Sequence, residues 1–256
     1  MFSLVAVSAE LAEQLVAIES GGEDAVHQAR TRVRRLRSIL GVYKRAFEPE
    51  ETRRLRARLQ ALGARLGEVR DREVRASALD GVLLADDDPA LIDGVEALAA
   101  EARAEHAREL VALLEHLRGR AHRRLLADLQ VFVADPPLTR AGRSHPRRIT
   151  THGLAKAVDR VRAPRSDSLE DRHTTRKAAR RLRYAAEAVA DDLGRDAVRL
   201  AAAAEAVQDA LGTHRDAVLL AVYLRERGLG EAAIRCEDRA QDAVEGLEAK
   251  LAAIDF

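Results

Sequence analysis

The chain has 256 residues, 47% apolar and 33% charged, which is enough to bury a core in one large domain or two small ones and too apolar for disorder. Its 43 basic and 42 acidic residues nearly cancel, so overall charge points to no partner and only its segregation can. The single cysteine, Cys236, excludes an intramolecular disulfide framework, and no apolar run is long enough for a membrane-spanning helix.

Tryptophan is absent, aromatic residues are 3%, and Ala, Leu, Arg and Glu dominate, a composition that favours helix. Ser3 to Glu19 predicts a first helix, with Leu4, Leu11, Leu15 and Ile18 on one stripe and Gly21-Gly22 ending it. The first basic residue is Arg30, so the apolar start MFSLVAVSAE lacks the positive region of a secretory signal, and a cytoplasmic protein is expected. A second helix is expected over 23–47. Glu-Pro-Glu at 48–50 opens a third, running to about Leu84, with Pro49 in its first turn and acids suited to the N-terminal dipole. Ala-Asp-Asp-Asp-Pro at 85–89 predicts a turn with capping groups, and 89–134 a long helical stretch broken near Gly119.

Residues 135–153 hold Pro136, Pro137, Gly142, Pro146 and Gly153 with little apolar periodicity, and read as a basic linker; a flexible arm over an anion site is the alternative. Helices follow over 154–162, 169–193 up to Gly194, 196–227 up to Gly228 and Gly230, and then to Ile254, with a turn at 164–168. The expected fold is all-α: two antiparallel bundles of about four helices each, 1–134 and 154–256, related by an internal pseudo-twofold repeat.

The repeat is carried by two motifs. HQARTRVRRLR (His27 to Arg37) matches HTTRKAARRLR (His173 to Arg183) at the histidine and at the third, seventh, eighth, ninth and tenth residues after it. LGEVRD (Leu66 to Asp71) follows His27 by 39 residues, and LGTHRD (Leu211 to Asp216) follows His173 by 38. Two motifs in one order at nearly one separation mark a duplication with a period much longer than a solenoid repeat.

On a helical wheel His27, Arg30, Arg34 and Arg37 share one side, with Arg35 at its margin. Val26, Ala29, Val33, Leu36 and Leu40 lie opposite. His173, Arg176, Arg180, Arg181 and Arg183 repeat that face, joined by Lys177 and Tyr184. A charged helix face is ordinarily a solvated one, with signs mixed at i,i+4. Here Ala25 to Phe47 has six Arg and one Lys, and Arg172 to Ala186 five Arg and one Lys, with no acid in either. Like charges stacked this way are mildly destabilising, so keeping them twice points to an anion.

At these motifs the chain resembles the CHAD (conserved histidine alpha-helical domain) family. The resemblance rests on the two His-x2-Arg-x3-Arg-Arg-Leu-Arg helices, the Arg-Leu-Arg-Tyr of the second and the repeated Leu-Gly-x2-Arg-Asp, and it covers nearly the whole chain. It implies two helical bundles about a pseudo-twofold, with basic helices lining a central groove or channel that binds inorganic polyphosphate. It also implies association with polyphosphate granules.

The residues are consistent with that chemistry. Arginine forks match phosphate oxygens in pairs and stay charged, and each basic helix offers a row of donors about 15 Å long. The expected contacts are His27, Arg30, Arg34, Arg35, Arg37, Lys44, His173, Arg176, Lys177, Arg180, Arg181, Arg183 and Tyr184. Secondary contacts are Arg70, Arg147, Lys156, Arg160 and Arg215. Asp71 and Asp216 read as salt-bridge partners that orient them. Either histidine can instead be a structural hydrogen-bond hub. Sulfate or phosphate would fit the same site.

No Walker A run, Gly-x-Gly-x-x-Gly or metal-type Cys/His cluster is present, and neither is the Glu-x-Glu-x-Lys of the triphosphate tunnel enzymes that often accompany the family. Binding without catalysis and without a cofactor is the expectation. A nucleic-acid-binding helical protein is one alternative, disfavoured by four Phe, three Tyr, no Trp and no Asn. An accessory subunit of a phosphate-metabolising enzyme is another.

Overall fold

The computed structural model describes residues 3–85 and 87–256. Met1 and Phe2 of the apolar start, and Asp86 of the expected 85–89 turn, lie outside the described residues. The fold is all-α. In order the helices are α1 (Leu4–Glu19), α2 (Ala25–Val42), α3 (Pro49–Asp80), α4 (Pro89–Arg118), α5 (Arg120–Ala134) and α6 (Arg140–Ser144). They continue with α7 (Pro146–Arg162), α8 (Leu169–Glu187), α9 (Ala190–Leu193), α10 (Arg195–Arg225), α11 (Gly230–Ala243) and α12 (Leu247–Ala252).

Local chemistry sets several of these ends. Pro49 begins α3 with Glu50 and Glu51 in its first turn. The Asp88 carboxylate caps α4, accepting from Ala90 N at 2.8 Å. Ser168 caps α8, accepting from Asp171 N at 3.2 Å. Gly194 takes φ +67° between α9 and α10, a conformation open to glycine at little cost.

The twelve described helices exceed the eight expected because short helical pieces replace expected loops and continuous stretches. The expected 169–193 helix gives way after Glu187, and Val189 precedes the four-residue α9. The largest difference is at 135–153. Instead of a linker, this stretch carries α6 and the first two turns of α7, with Gly142, Thr150 and Gly153 buried. Glu48 N donates to Pro137 O at 2.7 Å and Thr139 N to Ala46 O at 2.9 Å, tying the stretch to the connection between α2 and α3. Pro146 starts α7, Pro136 and Pro137 lie in the connection before α6, and the glycines mark close packing rather than freedom.

Two hydrophobic cores form, and each draws on both halves of the sequence. The larger joins Leu11 and Leu15 of α1, Val33, Leu36 and Leu40 of α2 and Leu59, Leu62 and Leu66 of α3 to Ala179 and Leu182 of α8 and Leu200 and Val207 of α10. The smaller packs Leu79, Leu91, Val95 and Ala99 against Ala221, Leu224, Ala232 and Cys236. The halves are thus not separate bundles with private cores.

Tyr43, fully buried past the end of α2, donates from its hydroxyl to the Ala185 carbonyl of α8 at 2.7 Å. Tyr43→Phe leaves that carbonyl without its partner. A loss of about 1–2 kcal/mol is expected, read as a lower Tm in thermal unfolding.

Candidate anion-binding site

The site is built where α2 meets α8. Each helix buries its apolar stripe, Ala29, Val33 and Leu36 on α2 and Ala179, Leu182 and Ala186 on α8, and that burial fixes where the basic faces point. Arg34 and Arg180 hold the same position in the two motifs, seven residues after the histidine. They line one cavity of about 580 Å³ together with His27, Arg176 and Tyr184.

Both guanidinium groups are half-buried, and neither has a carboxylate partner among the described residues. Burial, then the charge of Arg180, then that of Arg30, pulls Arg34 down to about 9, with Arg176 adding to the fall and Tyr184 opposing it. Burial and Arg176 chiefly pull Arg180 down to about 10. Both stay charged at neutral pH, under the repulsion of their neighbours. An anion between them would relieve that repulsion.

The flanking arginines are held by the Leu-Gly-x2-Arg-Asp motifs. Arg30 pairs with Asp71 at 2.8 Å. A Cβ on Gly67 would meet the Arg30 guanidinium at 3.2 Å, and one on Gly212 would meet that of Arg176 at 3.2 Å. In each half the glycine lets the arginine lie flat on the neighbouring helix, α3 or α10. The arginine of each motif stands beside the histidine of its own half: after burial, Arg70 is the largest influence lowering His27, and Arg215 the largest lowering His173. Without an anion both histidines are therefore pushed toward the neutral form.

Burial raises the Asp216 carboxyl above its usual range against the pull of Arg176 and Arg215, and Asp71 across the site adds to the rise. A carboxyl raised in the folded state contributes stability below its unfolded pKa of about 3.9 and loses it as pH rises through the folded value. Asp216→Asn is therefore expected to raise Tm at pH 7. The difference should close as pH falls well below ~3.9, where wild-type Asp216 is protonated in both states. Thermal unfolding between those two pH values measures it.

Several expected contacts are placed differently. Arg35 is paired with Glu187 at 2.6 Å. Arg183 is paired with Glu187 at 2.8 Å and Glu205 at 2.7 Å. Arg70 pairs with Glu73 at 2.9 Å. Arg35 and Arg183 line the same cavity as Arg34 and Arg180, but these three charges are neutralised within the protein. Arg37 donates to the Gln60 side chain at 3.0 Å; with Arg181 and Arg160 it forms a group apart from the cavity, which also takes in Arg56. Lys177 is exposed on α8 beside His173. Lys44, just past α2, and Arg147 and Lys156 on α7 are exposed and do not line the cavity. Arg56, Glu187 and Glu205 were not singled out from the sequence, although Glu187 follows the second basic face directly.

Two helices whose unpaired arginines meet at one cavity have the chemistry to hold a phosphate-type anion. The chain belongs to the CHAD domain family, whose profile matches residues 6–225. It is 30% identical over 237 residues to two uncharacterized proteins of Mycobacterium tuberculosis, MT2285 of strain CDC 1551 and Rv2226 of strain H37Rv. The match covers 86% of this chain and 44% of theirs, so the chain spans less than half the length of these relatives. The fold is similar to the crystal structure of the CHAD domain from the plant Ricinus communis, with a TM-score of 0.69 and 25% identity over 98% of this chain and 88% of that one. It is also similar to PptA from Streptomyces chartreusis, with a TM-score of 0.77 and 17% identity over 96% and 95% of the two chains. Among the described residues no helix is long and apolar enough to cross a membrane.

Proposed function

We propose that the protein binds inorganic polyphosphate along the contact of α2 and α8, with Arg34 and Arg180 at the centre. The observation that carries this reading is that pair: two half-buried guanidinium groups in repeat-related positions with no carboxylate partner among the described residues. Arg30 and Arg176 extend the charge on either side, and His27 and His173 become donors once an anion restores their protonated form. Family membership supports the same reading. A chain of regularly spaced phosphates suits two rows of arginine better than a mononucleotide, which would fill only part of them. The role we propose is binding without cleavage, without a cofactor, in the cytoplasm and at polyphosphate granules.

A competition titration near physiological salt tests the reading. Long-chain polyphosphate is set against single-stranded DNA, RNA and tripolyphosphate at matched phosphate concentration. Long polyphosphate is expected to bind tighter than nucleic acid by at least about a hundredfold, with affinity falling steeply as salt rises, because a bound polyanion releases counterions. Equal competition by nucleic acid, or a flat salt response, would show a generic basic surface instead.

A further inference from the structure

A second cavity, of about 310 Å³, opens between the turn after α7, the first turns of α8, α10 and α12. It shares no lining residue with the cavity of Arg34 and Arg180. Its apolar wall is Val161 of α7, Leu211 of α10 and Leu247 and Leu251 of α12. Val161 and Leu211 belong to the larger core, and the half-buried Leu247 and Leu251 pack against it. Arg172 of α8 and Asp167 of the turn bring charge to the same cavity.

The duplication shows what is unusual about Arg172. It stands one residue before the motif histidine, and His214 stands three after the leucine of Leu-Gly-x2-Arg-Asp. The same places in the first half hold Val26 and Val69, with Val69 in the larger core and Val26 packed against it. In the second half Arg172 Nη1 lies 2.7 Å from His214 Nε2. A guanidinium only donates, so Nε2 accepts and the ring proton sits on Nδ1, which is buried without a partner among the described residues. Burial, then the Arg172 charge, pushes His214 toward this neutral form. Where one half has two valines, the other thus holds a charged residue on a buried imidazole, an arrangement that costs burial energy.

The charge has an open side. Among the described residues the carboxylate near Arg172 is Asp167, 3.7 Å from Nη2 and so beyond hydrogen-bond distance. Asp167 is 93% exposed, and an exposed pair of this kind is weak enough for an incoming anion to displace. The other arginines at the cavity are engaged. Arg165 donates to Arg160 O at 2.7 Å and Ala163 O at 3.2 Å, closing the end of α7 and fixing the turn, and Arg162 has Asp255 at 3.5 Å. One guanidinium nitrogen therefore stands open beside an apolar wall.

We propose that this cavity binds a small amphipathic monoanion, an aliphatic carboxylate whose head group takes the place of Asp167 on Arg172 and whose chain lies along Leu211, Leu247 and Leu251. Small-molecule sites run roughly 300–1,000 Å³, and this cavity is at the lower end. Polyphosphate is a poor match, because it has many charges and no apolar surface. The proposal stands apart from the polyphosphate reading.

Isothermal titration of the whole chain with octanoate, butanoate and octylamine tests it. Octanoate is expected to bind at least about tenfold tighter than butanoate, because its extra methylenes leave water. Octylamine, with the opposite charge, is expected not to bind. Arg172→Gln is expected to weaken octanoate binding about tenfold. Asp167→Asn removes the competing carboxylate at an exposed side chain with no packing to lose, and is expected to strengthen binding about threefold. Tripolyphosphate is expected not to displace octanoate, since the two cavities share no residue. The proposal is overturned if octanoate fails to bind, if octylamine binds as well, if tripolyphosphate displaces octanoate, or if Asp167→Asn leaves the octanoate affinity unchanged. That last outcome decides the matter even where Arg172→Gln does not fold.

Discussion

Replacing Arg34 and Arg180 together by glutamine is expected to weaken polyphosphate binding by about a hundredfold or more while leaving Tm unchanged or higher. Each charge-assisted hydrogen bond to phosphate contributes about 1.5–3 kcal/mol, and two of them exceed the roughly 2.7 kcal/mol of a hundredfold change. The stability half of the prediction is what distinguishes a binding residue from a structural one. A guanidinium held by a carboxylate loses a partner when replaced, and the protein loses stability. Arg34 and Arg180 have no such partner among the described residues and are opposed by Arg30 and Arg176, so neutralising them removes repulsion. Isothermal titration and thermal unfolding of the same variant measure both effects. A clear drop in Tm with unchanged affinity would make the pair structural and move the site elsewhere. Arg183→Gln should behave in the opposite way in unfolding, because it breaks the pairs with Glu187 and Glu205.

Gly142→Ala is expected to destabilise the fold by about 3 kcal/mol, at the upper end of what overpacking costs, which lowers Tm by about 6–12 °C for a chain of this size. An added Cβ would overlap the Ala46 carbonyl oxygen and lie 3.0 Å from its carbon. Both are backbone atoms that a side-chain rotation cannot move. Relief would require shifting Thr139, whose hydroxyl donates to Arg45 O at 2.8 Å and accepts from Gly142 N at 3.0 Å. Gly230→Ala is the internal control: its Cβ meets nothing within 4 Å, so a neutral or slightly stabilising result is expected there. A neutral result at Gly142 would mean that 135–153 is the loose connection its composition suggests.

The helices themselves were legible in the sequence because helical periodicity and end signals are local. The expected 3–19 and 49–84 helices match α1 and α3 within a few residues, and Gly119, Gly194 and Gly228 fall at breaks. Residues 135–153 were not legible. A proline at the first position of a helix and a proline in a loop are the same letter, and a glycine packed against Ala46 or Tyr43 cannot be told from a flexible one without its neighbour. The repeated motifs were legible as a pattern, and they left open whether the two bundles share a core. The packing shares both cores between halves, because α10 reaches from the larger core to the smaller with apolar residues at both ends.

The candidate site divides in the same way. The sequence by itself determined that two helices carry unbroken basic faces and that each is followed by an Arg-Asp motif, since spacing along one helix fixes which residues share a side. Only the tertiary structure decided which arginines remain available. Arg35 and Arg34 are neighbours in the chain, yet Arg35 is neutralised by Glu187, 152 residues away, and Arg34 faces Arg180. Coulomb energy depends on distance in space and on burial, and the carboxylates that neutralise Arg35 and Arg183 arrive on α8 and α10.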